Sequence, residues 1–183
     1  MKQSIKKHLY GLLACLMLVS CNNQETLQTY FVDRQETPNF TSADLPTSIV
    51  SLEETLLTDD QKDAYQSIKR LNFLGYKIKD TSNLADFNAE VSKVKNILNG
   101  SNYNDLMEFN SHGGKVVVKY LGDDEKVDEF IVFGNSKDMG FGIVRVLGDD
   151  MSPAKIMALT EALKNADIDE DQLKGLTNFF VGE

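Results

Sequence analysis

Residue types on which many enzymes and metal sites depend are scarce in this 183-residue sequence, which has only two cysteines and two histidines. Positive charge is also in deficit, since 19 Lys and Arg residues stand against 28 Asp and Glu residues, a formal net charge of −9. An acidic chain has no electrostatic route to a phosphate backbone, so we expect no nucleic-acid partner. The rest of the composition, 42% hydrophobic and 26% charged, is typical of a folded domain and excludes a disordered tail or a polytopic membrane protein.

The amino-terminal apolar run is too short to span a membrane. It extends from Leu9 to Val19, whereas a spanning helix needs about 20 apolar residues. Three lysines precede it and the small residue Ser20 follows it, an order typical of an export signal. The sequence therefore predicts a signal peptide over residues 1–20.

The end of this segment, Leu18-Val19-Ser20-Cys21, resembles the lipobox of bacterial lipoproteins. In that family the cysteine thiol receives a diacylglyceryl group and the chain is cut just before it. Small side chains admit the backbone to the peptidase, and a thiol is nucleophilic enough for the transfer. The resemblance implies cleavage between Ser20 and Cys21, lipidation of Cys21, and membrane attachment through acyl chains such as palmitate. The alternative, a buried core cysteine, is disfavoured by the polar residues that follow.

Cleavage at this position changes the chemistry that the mature chain can perform. It removes three lysines and no acids, leaving 16 basic against 28 acidic residues, a net charge of −12. It also removes Cys15 and His8, so Cys21 is the only remaining cysteine and His112 the only histidine. Disulfides, thiol catalysis and Cys/His zinc sites are then excluded, and we expect no cofactor.

The residues after Cys21 indicate where the protein is held. An acidic run often follows the acylated cysteine of lipoproteins that reach the cell surface, and Asn22-Asn23-Gln24 takes its place here. We therefore expect an anchor in the outer membrane that faces the periplasm. We interpret residues 21–38 as an acylated tether, with docking of its apolar cluster Tyr30-Phe31-Val32 on the domain as an alternative, and residues 39–183 as one domain.

Hydrophobic spacing predicts an α+β fold. We expect a strand over Phe40–Leu45, a helix that Thr58 and Gln61 cap and whose apolar face continues to Leu71, and a strand over Leu71–Ile78 bent at Gly75. The clearest helix covers residues 82–98, where an apolar stripe recurs every three or four residues, and we expect it to end in a left-handed cap at Asn99-Gly100.

Short apolar runs with turn sequences between them occupy residues 105–147. Connections this short join antiparallel neighbours, which predicts a β meander with one turn at Gly134-Asn135-Ser136. Two helices that begin near Ser152 and Asp169 complete a single α+β domain in which the meander packs against several helices.

The motifs Tyr103-Asn104-Asp105-Leu106-Met107, Val116-Val-Val-Lys-Tyr-Leu-Gly and Gly148-Asp-Asp-Met, together with the lipobox, resemble domain-of-unknown-function family 4252. The resemblance implies a small envelope lipoprotein of a diderm bacterium with one α+β domain, and it brings no catalytic residues. Some relatives are encoded beside sigma-factor or anti-sigma genes, which suggests a part in envelope-stress signalling.

Candidate catalytic and metal sites in the sequence have simpler interpretations. The run Asp167-Ile-Asp169-Glu-Asp171 begins like a calcium loop, but the sixth and twelfth positions hold Gln172 and Asn178 where an EF-hand needs Gly and Glu. His112 lies in a predicted turn, a poor place to exclude water. We expect no metal site and no catalytic residue, although carboxylate pairs for glycoside hydrolysis stay open.

One face of the predicted sheet is more apolar than a solvated face usually is. It consists of Val117, Lys119, Glu129, Ile131, Phe133, Phe141, Ile143 and Arg145. This is our candidate binding face for an envelope protein or an apolar ligand, unless a helix or the amino-terminal segment covers it. The sequence thus favours a non-enzymatic binding or interaction module, with a carrier or sensor of an apolar ligand as the alternative and a hydrolase third.

Overall fold

Six antiparallel strands form one sheet at the centre of the computed structural model, which describes residues 25–49, 57–79, 81–100, 102–111 and 113–163. The strands are β1 (Phe40–Leu45), β2 (Ile68–Lys77), β3 (Tyr103–Ser111), β4 (Gly114–Gly122), β5 (Val127–Ser136) and β6 (Gly140–Met151). They lie in the order β1-β2-β6-β5-β4-β3, so β1 and β3 are the edges. The last four strands are sequential neighbours, which confirms the predicted meander.

Helices pack on both faces of this sheet. They are α1 (Leu27–Arg34), α2 (Asp59–Ser67), α3 (Leu84–Leu98) and α4 (Pro153–Leu163), with short 3-10 turns at Thr47–Ile49 and Thr81–Asn83. Side chains of α1 and α3 form the larger core cluster with one face. On the other face Ile156 of α4 packs on a smaller cluster that includes Tyr120 and Phe130, and α2 contacts α4. The α+β class is therefore confirmed.

Helix α2 begins where the capping pattern predicts, but it ends at Ser67, before the predicted continuation to Leu71. The Thr58 hydroxyl accepts a hydrogen bond from the Gln61 amide at 3.3 Å, and the Gln61 side chain accepts one from the Thr58 amide at 3.0 Å. The expected continuation of the helical face to Leu71 is wrong, because β2 begins at Ile68 and pairs with both β1 and β6. The irregularity of β2 lies between Ile68 and Arg70 and not at Gly75.

Helix α3 buries most of its predicted stripe. Phe87, Val91, Val94 and Leu98 are buried, and Ile97 is buried beside them. The predicted left-handed cap is wrong, since Asn99 has a φ of −88°.

The turn between β5 and β6 lies a few residues further along the sequence than the predicted Gly134-Asn135-Ser136. Gly134 pairs with Gly142 and Ser136 with Gly140, so the turn consists of residues 137–139. Gly140 has a φ of 124°, and a Cβ atom there would lie 1.9 Å from the carbonyl oxygen of Tyr76. Only glycine fits this corner without a backbone shift.

The folded domain begins before residue 39, so the predicted boundary is wrong and much of the predicted tether belongs to the core. Leu27 and Tyr30 of α1 are 0% exposed and Phe31 is 8% exposed. Their spacing places them on one side of the helix, and Thr26 caps it through reciprocal hydrogen bonds with Thr29. The predicted signal peptide, Cys21, and the helix expected from Asp169 lie outside the described residues.

Candidate functional site

The predicted binding face is a core surface. Its members do share one side of the sheet, because Val117 pairs with Phe133 and Phe133 with Ile143 in adjacent strands. Its buried apolar members, Ile131, Phe133, Phe141 and Ile143, are at most 1% exposed and pack against α1 and α3. The prediction of an exposed groove over these apolar residues is therefore wrong. The alternative, that a helix or the amino-terminal segment covers them, is what the fold shows.

The charged members of this face are buried too, and they are paired. Arg145 donates from Nε and Nη2 to the same oxygen of Glu129, Oε2, at 2.8 and 2.5 Å. Glu129 is 4% exposed and Arg145 8%, and the guanidinium lies 5.4 Å from the centre of the Phe31 ring. Lys119, also buried, contacts the exposed carboxylate of Asp105 at 2.7 Å. These charges balance one another at the junction of sheet and helices.

Polar contacts hold α1 against α3. The Tyr30 hydroxyl donates to Glu90 at 2.8 Å, and Arg34 donates to both oxygens of the same carboxylate at 3.1 and 3.0 Å. Burial raises the pKa of Tyr30, and its bond to Glu90 raises it further. Burial opposes ionisation of Glu90, but the bonds from Arg34 and Tyr30 outweigh it and lower the pKa of Glu90. Glu90, on the polar side of the α3 stripe, therefore faces α1 and not open solvent.

A cleft of about 630 Å³ opens beside this junction. Its walls are the start of α1 and the end of α3, and its floor consists of side chains from β3 to β6. The lining residues are Glu25, Thr26, Gln28, Lys93, Asn96, Ile97, Gly100, Asn102, Tyr103, Leu121, Asp128, Glu129, Arg145 and Leu147. The cleft thus exposes the edge of the predicted face that the helices leave open, with the Glu129–Arg145 pair in its floor.

Tyr103 is the titratable floor residue with the most perturbed environment. Burial, and then the nearby Glu129 carboxylate, raise the pKa of Tyr103 to about 12. The phenol therefore stays protonated at neutral pH and can act as a hydrogen-bond donor. Together with the amides of Asn96 and Asn102, it gives the cleft neutral polar groups besides its charges.

Within the described part of the chain, no group of three or more His, Cys, Asp or Glu residues could hold a metal ion. The same residues contain no helix that is both long and apolar enough to cross a membrane. Ser20, Cys21 and His112 lie outside them, so their predicted roles stay predictions.

The sequence analysis allowed the amino-terminal segment to cover this face but missed that the segment forms a helix, α1. Leu27, Tyr30 and Phe31 recur at helical spacing after a possible cap at Thr26, and this signal could have identified the helix. The position of Tyr103 in a cleft had no comparable signal, because it depends on where α1 and α3 leave the sheet uncovered.

The antiparallel sheet with helices on both faces defines a single α+β domain. A family model described as Domain of unknown function (DUF4252) matches residues 30–159, so the chain belongs to this family and the predicted resemblance is confirmed. The match begins within α1, in agreement with the place of that helix in the core. No curated protein and no solved structure matches the chain.

Proposed function

We propose that this protein is a lipid-anchored lipoprotein of the cell envelope that acts as a non-enzymatic binding module, with the cleft as its binding site. The lipobox supports lipidation of Cys21, and the residues that follow it support an outer-membrane anchor facing the periplasm. The observation that carries the binding role is the cleft, whose volume of about 630 Å³ is typical of small-molecule sites.

The chemistry of the floor supports binding over catalysis. A general base must be able to accept a proton near the working pH, whereas burial and the Glu129 carboxylate raise the pKa of Tyr103 to about 12, so that its phenol is already protonated there. The Glu129 carboxylate already accepts two hydrogen bonds from Arg145. Because the floor groups are bonded within the protein, the cleft is better suited to holding a ligand than to transferring a proton.

A second candidate is a periplasmic carrier or sensor of an apolar small ligand. Ile97, Leu121 and Leu147 favour it, because they give part of the cleft an apolar lining. A part in envelope-stress signalling would fit either candidate, with the ligand or an envelope protein as the signal.

Native mass spectrometry of the protein extracted from its own membrane tests the binding role. We expect a retained molecule in the wild type and its loss in Leu147→Trp, which would place an indole ring in the floor of the cleft. Met157→Trp is the matched control, because Met157 is exposed on α4, on the other side of the sheet. Loss in both variants, or retention in both, would contradict a binding role for the cleft.

Membrane fractionation tests the anchor separately. Cys21→Ala should move the protein from the membrane to the soluble fraction, since the acidic mature chain has no attraction to anionic headgroups. A variant that stays bound like the wild type would show that the lipoprotein assignment is incorrect.

A further inference from the structure

The cleft lies close in the chain to the proposed lipid anchor. Glu25, Thr26 and Gln28 form part of its wall, and Glu25 is only four positions after Cys21 in the sequence. Four residues span at most about 14 Å even when fully extended. The Glu25 end of the cleft wall is therefore within about 14 Å of the backbone of Cys21, whatever path the chain takes.

This wall cannot swing far from the domain. Leu27 and Tyr30 are 0% exposed in the core, and Tyr30 and Arg34 are hydrogen-bonded to Glu90 of α3. The Thr26–Thr29 capping box also fixes the residue that precedes α1. The anchor thus joins a rigid part of the domain through a very short link.

If Cys21 is acylated, as the proposed function requires, this link brings the cleft to the bilayer surface. The headgroup layer on each side of a bilayer is about 5 to 8 Å thick. With Glu25 no more than about 14 Å from the acylated residue, this end of the cleft wall lies in or just above that layer. The cleft is then presented to phospholipid headgroups of the leaflet that holds the anchor.

The charges of the cleft select among headgroups. Glu129 and Arg145 neutralise each other in the floor, which also holds Asp128, and Glu25 and Lys93 lie on the walls. Lys93 contacts Glu90 at the long distance of 3.4 Å and is 38% exposed, so its ammonium still reaches the cleft. Two carboxylates beside one ammonium disfavour a purely anionic headgroup. They suit one that carries an ammonium group for Glu25 and Asp128 and a phosphate for Lys93, with apolar Leu147 available for its glycerol and acyl parts.

We propose that this juxtaposition of cleft and anchor makes the cleft a site for the headgroup of an amine-bearing zwitterionic phospholipid in the surrounding leaflet. The inference rests on the proposed anchor and goes beyond it by naming the ligand class. It requires two measurable properties, which are proximity of the cleft to headgroups and selectivity for phosphatidylethanolamine over phosphatidylglycerol.

Tryptophan fluorescence measures the proximity, because the chain contains no tryptophan of its own. The full acylated protein would carry Asn96→Trp at the exposed wall of the cleft or, as the control, Met157→Trp on α4, each in vesicles with spin-labelled headgroups. We expect strong quenching of the cleft reporter and weak quenching of the control. Equal quenching of the two would overturn the membrane-facing cleft, and circular dichroism would verify that both variants fold.

Native mass spectrometry after reconstitution in mixed phosphatidylethanolamine and phosphatidylglycerol vesicles measures the selectivity. We expect one retained phosphatidylethanolamine per wild-type chain and loss of most of it in the Glu25→Gln/Asp128→Asn variant. The control Glu125→Gln/Asp138→Asn removes two carboxylates that do not line the cleft and should retain the lipid.

Retention of phosphatidylglycerol to the same extent, of a protein in place of a lipid, or of nothing would each overturn the lipid proposal. Failure of Cys21→Ala to leave the membrane is a different result, because it contradicts the anchor itself. The two failures are therefore distinguishable.

Discussion

Glu129→Ala should destabilise the domain strongly, because it leaves the buried guanidinium of Arg145 without its counter-charge. Glu129 accepts both hydrogen bonds that Arg145 makes to it, at 2.8 and 2.5 Å, and the two residues are only 4% and 8% exposed. Removing one partner of a buried ion pair typically costs about 3 to 5 kcal/mol. The adjacent cleft gives water a route to the guanidinium, so we expect the lower end, about 3 kcal/mol.

Urea unfolding at neutral pH, followed by circular dichroism on the Cys21→Ala chain, would measure this cost. For a domain of this size, about 3 kcal/mol corresponds to a fall in Tm of roughly 6 to 12 °C. The exposed pair Glu108–Lys115 provides the control, and Glu108→Ala should cost less than about 1 kcal/mol.

Replacing both partners separates the cost of a stranded charge from the value of the pair. The double variant Glu129→Leu/Arg145→Met should recover most of the stability lost in Glu129→Ala, since apolar replacements of buried pairs are often neutral or stabilising by about 1 to 4 kcal/mol. A loss below about 1 kcal/mol in Glu129→Ala, or no recovery in the double variant, would refute this reasoning.

Three further predictions concern the rest of the core. The buried Tyr76 hydroxyl has no hydrogen-bond partner in the part of the chain that the structure describes, although Asn83 lies near it. Removing this hydroxyl in Tyr76→Phe should therefore leave the free energy of unfolding in urea unchanged or raise it by up to about 2 kcal/mol. Gly140→Ala should lower stability by more than about 1 kcal/mol, visible as a lower Tm, because of its positive φ and the contact with the Tyr76 carbonyl. The folded state lowers the pKa of Glu90, so the ionised carboxylate stabilises the fold. This stabilisation is fully present above the unfolded pKa of about 4.3 and is lost as the pH falls through the folded pKa. The difference in urea midpoint between Glu90→Gln and the wild type should therefore be largest near neutral pH and should shrink below about pH 4, and a constant difference would contradict it.

Local signals in the sequence predicted much of the fold. The reciprocal hydrogen bonds of Thr58 and Gln61 can be predicted from four consecutive residues. The apolar stripe from Phe87 to Leu98 and the bounds of β1 at Phe40 and Leu45 can likewise be predicted from short segments. Each of these features depends on neighbours within a few residues, so periodicity and capping rules apply to it directly.

The candidate site depended on contacts that no local pattern encodes. Tyr30 and Glu90 are 60 residues apart in sequence, and their contact decides that α1 covers the sheet instead of serving as a tether. A charged pattern such as Glu129 and Arg145 on an apolar face looks the same in sequence whether it is solvated or buried as an ion pair. Which part of that face stays open was decided by the end of α3 and the start of α1, and hence by packing.

The hydrogen bonds that hold α1 against α3 have a mechanical consequence for any force applied through the amino terminus. Such a force reaches α1 first, and the bonds from Tyr30 and Arg34 to Glu90 connect that helix to α3. Drag on the domain from a fixed amino terminus would therefore load helix-to-helix contacts before it loads the strand pairs of the sheet. The weakest mechanical point of the molecule is then predicted to be the docking of one eight-residue helix, with the six-stranded sheet protected behind it.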